Sequence, residues 1–208
     1  MFAAQAGKPP ASQTGKETEN EMETQKKYSI IYADPPWRYR QKNLSGAAEH
    51  HYRTMAVEDI CRFGVAEIAA ADSVLFLWAT FPNLPEALQV IRAWGFRYKT
   101  VAFVWIKQNK SGKGFFFGLG FWTRGNAEIC LLATRGRPRR KSNAVHQLIV
   151  SPLKGHSEKP EEAREKIVEL MGNLPRAELF ARKKTRGWDV WGDEVEPDFS
   201  LAERKKEV

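Results

Sequence analysis

Apolar positions along the chain fall into short runs and helical stripes, and the two patterns alternate. YSIIYAD (28–34) is almost wholly apolar and rich in aromatic and β-branched residues, the pattern of a strand buried on both faces. SVLFLWAT (73–80), RYKTVAFVWIK (97–107), AEICLLAT (127–134) and RAELFA (176–181) repeat it, and HQLIV (146–150) reads as one further short strand. Between these runs the spacing predicts helices. Thr54 stands where a helix over 56–70 would be capped. LPEALQVIRAWG carries Leu84, Leu88, Ile91 and Trp94 at helical spacing and stops at Gly95. KPEEAREKIVELM puts Pro160 in a first turn, acids near its start, and Ala163, Ile167, Leu170 and Met171 on one face. Strands alternating with helices predict an α/β domain, its sheet mostly parallel and helices on both faces. Ligands in such folds lie beyond the carboxyl ends of the strands, where Asp34, Lys107 and Arg182 fall.

Residues 1–26 have almost no large apolar residues and predict a disordered tail. Residues 27–196 then form the domain, and 197–208 a charged tail. The 208 residues suffice for one well-packed domain. No apolar run approaches the roughly 18–20 residues of a membrane span, and no secretory core opens the chain. Two distant cysteines, Cys61 and Cys130, argue against a disulfide framework or a zinc site and fit a reducing cytoplasm. The adjacent histidines His50 and His51 lack the acid or thiol cluster that a metal site needs.

A net charge of +8 favours a polyanionic partner, nucleic acid first. RGRPRRK (135–141) has five basic residues in seven, and its Arg139 and Arg140 are candidate phosphate contacts. QNKSGKGFFFGLGFWTRGN (108–126) mixes Gly, Lys and aromatics. It reads as a substrate-facing loop in which Lys113 and Arg124 meet nucleic acid, with a hydrophobic dimer surface as the competing reading. Trp78, Trp94, Trp105 and Cys130 sit in strand or helix patterns and belong to the core. His156 and Lys159 precede a helix, and either approach the site or shape the helix start.

The densest chemistry is Asp34-Pro35-Pro36-Trp37. The prolines fix φ and remove two N–H groups, so carbonyls and the Asp34 carboxylate form a rigid arc of acceptors. Such an arc wants a donor with two hydrogens, which an exocyclic amino group supplies. Trp37 offers a face for a flat heterocycle, worth about 1–3 kcal/mol per base. Accepting both N–H bonds of an aromatic amine returns electron density to its nitrogen and aims the lone pair. Placing an electrophilic carbon in line can then contribute about 7–11 kcal/mol. A base inside a duplex reaches such a pocket only when flipped out. A Pro-Pro turn whose Asp caps a neighbour remains the plainer alternative.

This tetrapeptide resembles the signature of the DPPW-type adenine-N6 methyltransferase family, which includes the eukaryotic mRNA adenine methyltransferase and bacterial and phage DNA enzymes. HYRTM (51–55), LFLWAT (75–80), GNAEICLLATRG (125–136), HSEKPEE (156–162) and ELFARKKTRGWDVWGDE (178–194) resemble its other segments in order. The resemblance covers residues 28 to 194. It implies a Rossmann-like fold with permuted motif order, S-adenosylmethionine as cofactor, and N6 methylation of adenine in nucleic acid. DNA is the preferred substrate because the chain reads as a single domain without accessory RNA modules or zinc knuckles, and RNA is the alternative. Asp34, Pro35, Pro36 and Trp37 would be catalytic, with Asp34 and the Pro35 carbonyl holding the adenine amino group. Asp34, Glu178, Leu179, Phe180, Arg182, Asp193 and Glu194 would meet the cofactor. Ala127 stands where the family has a lysine for the cofactor carboxylate, leaving Asn126, Lys183 and Lys184 as replacements. Trp37, Tyr39, His51, Tyr52, His156 and Lys159 would join Lys113, Arg124, Arg139 and Arg140 on the substrate. A homodimer, a partner subunit, and a binding module that has lost transfer remain open.

Overall fold

The computed structural model describes residues 26–38, 54–120, 122–155 and 158–204. Seven strands form one sheet among these residues: β1 (Tyr28–Ala33), β2 (Ala69–Ala79), β3 (Arg97–Gln108), β4 (Ala127–Arg135), β5 (Leu148–Pro152), β6 (Arg176–Leu179) and β7 (Asp189–Trp191). Their spatial order is β5-β3-β4-β2-β1-β6-β7. Only β4 runs antiparallel to its neighbours, so the sheet is mostly parallel as its apolar runs predict.

Helices cover both faces. Helices α1 (Val57–Arg62), α2 (Val65–Ile68) and α3 (Leu84–Ala93) bury Ile60, Val65, Ile68, Ala87, Val90 and Ile91 against Ile31, Leu75, Leu77 and Leu131. Helix α4 (Glu161–Met171) buries Ala163, Ile167 and Met171 on the opposite face, against Tyr32, Phe76, Trp78 and Trp105. Alternate strand residues supply the two cores, as a two-sided sheet requires.

Three local differences from the sequence pattern have physical causes. The helix expected over 56–70 breaks at Phe63 and Gly64 into α1 and α2, and Ala69 already starts β2, where it pairs with Tyr28. The buried stripe of α3 runs through Ala87, Val90, Ile91 and Trp94, while Leu84 and Leu88 lie at its border. The segment from 197 to 204 does not stand off as a tail. Phe199 packs on Tyr28 at 5.2 Å, the Ala202 carbonyl accepts the Gly64 N–H at 2.7 Å, and the Arg62 carbonyl accepts the Arg204 N–H at 2.8 Å.

Candidate active site

Strand alternation assembles the site. On the α4 face, β1 presents Ile30 and Tyr32, and the next inward position is Asp34, one residue past the strand. On the same face β3 presents Phe103, Trp105 and then Lys107, and β4 presents Glu128 before Cys130. Three charges thus line one rim of the sheet, and Lys159, just before α4, comes down between them. Its ammonium donates to Asp34 Oδ2 at 2.8 Å and lies 3.2 Å from Glu128 Oε2. Lys107 Nζ donates to the other Glu128 oxygen at 2.5 Å. The row reads acid, base, acid, base, and Lys159 is only 7% exposed. Its ammonium also sits 5.8 Å from the ring centre of Trp78.

Burial and charge compete across this row. Loss of hydration pushes the Asp34 carboxyl above its ordinary value; Lys159 opposes the rise, and the neighbouring Glu128 charge adds to it. Burial disfavours the ionised Glu128 as well, but the ammoniums of Lys159 and Lys107 outweigh it and hold that carboxyl low. For Lys159 burial favours the neutral amine, yet Asp34 and Glu128 overcome this and raise its pKa above the ordinary lysine value.

Beside Asp34 opens a cleft of about 270 Å³ lined by Tyr32, Glu158, Lys159, Arg164, Glu178, Phe180, Arg182, Lys183 and Glu194 among others. Of the residues expected at the cofactor, Asp34, Glu178, Phe180, Arg182 and Glu194 reach it. Phe180 holds φ at 60°, a strained value for a side chain of this size, at the turn that ends β6. Arg182 Nε donates to Glu194 at 2.9 Å. Leu179 points into the core and contributes its carbonyl, which accepts the Asp34 N–H at 3.5 Å. Asn126 and Lys184 are not in the cleft lining: the Asn126 carbonyl accepts the Lys107 N–H beside the row, and Lys184 pairs with Asp198. Asp193 is exposed and outside the lining. Lys183, half-exposed and paired with Glu158 at 2.8 Å, is the replacement cation that faces the cleft.

Two expected roles change. Glu178 does not offer a free carboxylate, because Arg164 grips both of its oxygens, Nε at 2.8 Å and one terminal nitrogen at 2.5 Å. The same guanidinium lies 5.3 Å from the centre of the Tyr32 ring. Trp37 is 6% exposed, packed in the core, and its indole N–H donates to the Trp78 carbonyl at 2.9 Å. Its ring is an anchor for the Pro-Pro turn instead of an open stacking face. The Pro35 carbonyl already accepts the Trp37 N–H at 2.9 Å, and the Pro36 carbonyl accepts that of Met55 at 2.8 Å. The Asp34 carboxylate is therefore the principal acceptor the turn presents.

The loop between β3 and β4 leaves and rejoins the sheet at this same end, and it carries exposed Lys113 and Arg124. Phe115, Phe117 and Leu119 are exposed along it, and Trp122 is 98% exposed. Arg139 and Arg140 fall at the opposite end. β4 runs down the sheet, so that Cys130 pairs with Trp78 beside the site and Arg135 with Ser73. Five residues at about 3.3 Å each separate those levels by roughly 17 Å. Beyond Arg135, Lys141 donates its N–H to the carbonyl of Leu170, near the far end of α4. Tyr39, His51, Tyr52 and His156 lie outside the described residues.

Sequence reasoning missed Arg164, Glu158 and the pairing of Lys107 with Glu128. Glu128 and Lys107 had left a signal, a charge taking the next inward position of an otherwise apolar strand.

A mixed, mostly parallel sheet with helices on both faces and a charge-lined cleft at the carboxyl end of β1 is a Rossmann-like α/β arrangement. The chain belongs to the MT-A70 family, whose model matches residues 28–194. It is 34% identical over 197 residues to Type II methyltransferase M.MunI of Mycoplasma sp., a match that covers 85% of this chain and 81% of that protein. The N(6)-adenosine-methyltransferase MT-A70-like protein of Arabidopsis thaliana is 26% identical over 81% of this chain and 24% of its own length. The catalytic subunit METTL3 of the N(6)-adenosine-methyltransferase of Homo sapiens is 25% identical over 82% and 28%. The chain thus spans most of the first relative and about a quarter of the other two. Members of the family methylate the N6 amino group of adenine in DNA or RNA. No helix of the described residues is long and apolar enough to cross a membrane.

Proposed function

We propose that this protein transfers a methyl group from S-adenosylmethionine to the N6 amino group of adenine in DNA, with the adenine turned out of its stack. The observation that carries this is the Asp34 carboxylate, held by a buried lysine at the end of β1 and opening onto the charged cleft. Ionised Asp34 accepts an N–H of the adenine amino group and aims its lone pair. Pro35 and Pro36 stiffen the turn, and Trp37 locks it to the sheet through the Trp78 carbonyl.

The cleft residues fit the cofactor by their chemistry. Glu194, with Asp193 beside it, would accept ribose hydroxyls, and Lys183 would meet the carboxylate. Asp34 and Glu158 would balance its cationic groups. Phe180 and the backbone of Leu179 would form a wall. When bound, the cofactor supplies the electrophilic methyl carbon.

Nucleic acid would lie across the catalytic end, against Lys113, Arg124 and exposed Trp122; Tyr39, His51, Tyr52 and His156 are further candidate contacts. Arg139 and Arg140 would meet phosphates farther along the strand. DNA is preferred because the chain is 34% identical to the Type II methyltransferase and 25–26% identical to the adenosine enzymes. RNA methylation and a non-catalytic partner subunit are the competing readings.

The test uses purified protein, labelled S-adenosylmethionine, and matched single- and double-stranded DNA and RNA. Nucleoside digests are analysed by mass spectrometry. N6-methyladenine from DNA is the expected product. Product from RNA alone would reverse the substrate, and no product despite bound cofactor would overturn the reading in favour of a partner subunit.

A further inference from the structure

In the unliganded protein Lys159 donates to Asp34 Oδ2 at 2.8 Å, so an incoming amino group must share this carboxylate with the ammonium. The ammonium cannot simply leave, because a buried charge stripped of a partner is strongly unfavourable. Glu128 lies on its other side at a looser 3.2 Å. We propose that Glu128, fixed by Lys107, is a positioning residue that takes over the Lys159 ammonium when the target amino group docks on Asp34. The inference rests on the function proposed above.

The distances define the motion. Tightening the Lys159–Glu128 contact from 3.2 Å to 2.8 Å moves the ammonium by about 0.4 Å and lengthens the Asp34 contact to about 3.2 Å at most, so the two carboxylates exchange the tighter hold while the backbone stays in place. A lysine ammonium has three donors and tolerates the redistribution. Lys107 makes it workable. It neutralises Glu128, so the row of four carries no net charge; without it, two carboxylates would share one ammonium. The other charged or titratable groups facing Asp34 are Glu178, whose carboxylate Arg164 already grips, and Tyr32 and Cys130, both kept protonated by burial. Glu128 is therefore the one carboxylate among the described residues within ion-pair reach of Lys159 besides Asp34.

The test compares wild type, Glu128→Gln and Lys107→Met, each checked for folding by thermal melt. The first readout is the titration of the Asp34 carboxyl in unliganded protein by carbon-13 NMR, which needs no turnover. In Glu128→Gln a repelling charge disappears and Lys159 falls to Asp34 alone, so the Asp34 titration moves to lower pH. In Lys107→Met the unbalanced Glu128 draws Lys159 away, and it moves to higher pH. The second readout is kinetic. In Glu128→Gln, KM for the nucleic acid rises about tenfold, the loss of one charge-assisted contact, while cofactor affinity holds. The charge loss alone accounts for a downward Asp34 shift, so KM separates the roles: a purely structural role for Glu128 would lower kcat or stability and leave KM for the nucleic acid in place. An Asp34 titration that coincides in wild type and Glu128→Gln, or that moves upward in the latter, overturns the inference. A wild type that makes no methylated product overturns the function proposed above and leaves the titration result standing on its own.

Discussion

Arg164 and Glu178 tie α4 to β6 beneath the cleft, and removing one partner should expose how much that tie matters. Their side chains are 13% and 8% exposed, the contact is bidentate, and the guanidinium also covers the Tyr32 ring. Arg164→Met keeps the apolar bulk and the helix propensity but strands a carboxylate in the interior. Breaking a buried pair this way costs about 3–5 kcal/mol. For a chain of this size each kcal/mol lowers Tm by roughly 2–4 °C, so the expected drop is about 6–20 °C. The double variant Arg164→Met/Glu178→Gln removes both charges and should recover most of the loss, because the net worth of a buried pair against apolar packing is small. Calorimetry of wild type, both single variants and the double variant supplies the full cycle. A drop below about 3 °C for Arg164→Met, or no recovery in the double variant, would refute the view that Glu178 depends on Arg164.

Methyl transfer by wild type should fall on the acid side through the Asp34 titration, above the ordinary carboxylate range, because the ionised form is the acceptor and burial raises its pKa; a pH–rate profile of kcat/KM with its acid limb below that range would contradict this. Asp34→Ala should abolish transfer and keep the fold, with near-normal activity as the refuting result. Trp37→Phe should leave the Trp78 carbonyl unpaired and cost about 1–3 kcal/mol of stability without a large rise in KM. The opposite outcome, full stability with weak substrate binding, would restore a stacking role. Arg139→Ala with Arg140→Ala should lower the slope of log affinity against log salt by about 2 on long substrates. An unchanged slope would leave that loop in solvent.

The sheet was legible because its strands are apolar runs, and the class of fold follows from their alternation with striped helices. β7, three residues around Val190, is too short to leave a pattern. The α1–α2 break at Gly64 was hidden because Ala69, Ala70 and Ala71 favour helix, and pairing with β1 overrides that local preference. Asp34 was legible as a carboxylate at a strand end. Its hold on Lys159, 125 residues away, was not, since the meeting depends on how α4 crosses the sheet. An indole carries no mark of whether its face is open, so only the packing around Trp37 tells an anchor from a platform.

The lone antiparallel strand has a consequence for how such a protein can change. β4 leaves the reacting end and delivers the chain to the far pole, where Gly136 turns it with φ at 64° under the carboxylate of Asp72. The arginine-rich turn that follows is thus insulated from the chemistry by the length of the sheet. The exposed charges of Arg139 and Arg140 can be changed there without a direct contact to Asp34 or the cleft. Under the function proposed above, grip and catalysis are separate dials, and an engineer, or a lineage, can turn the first while leaving the second alone.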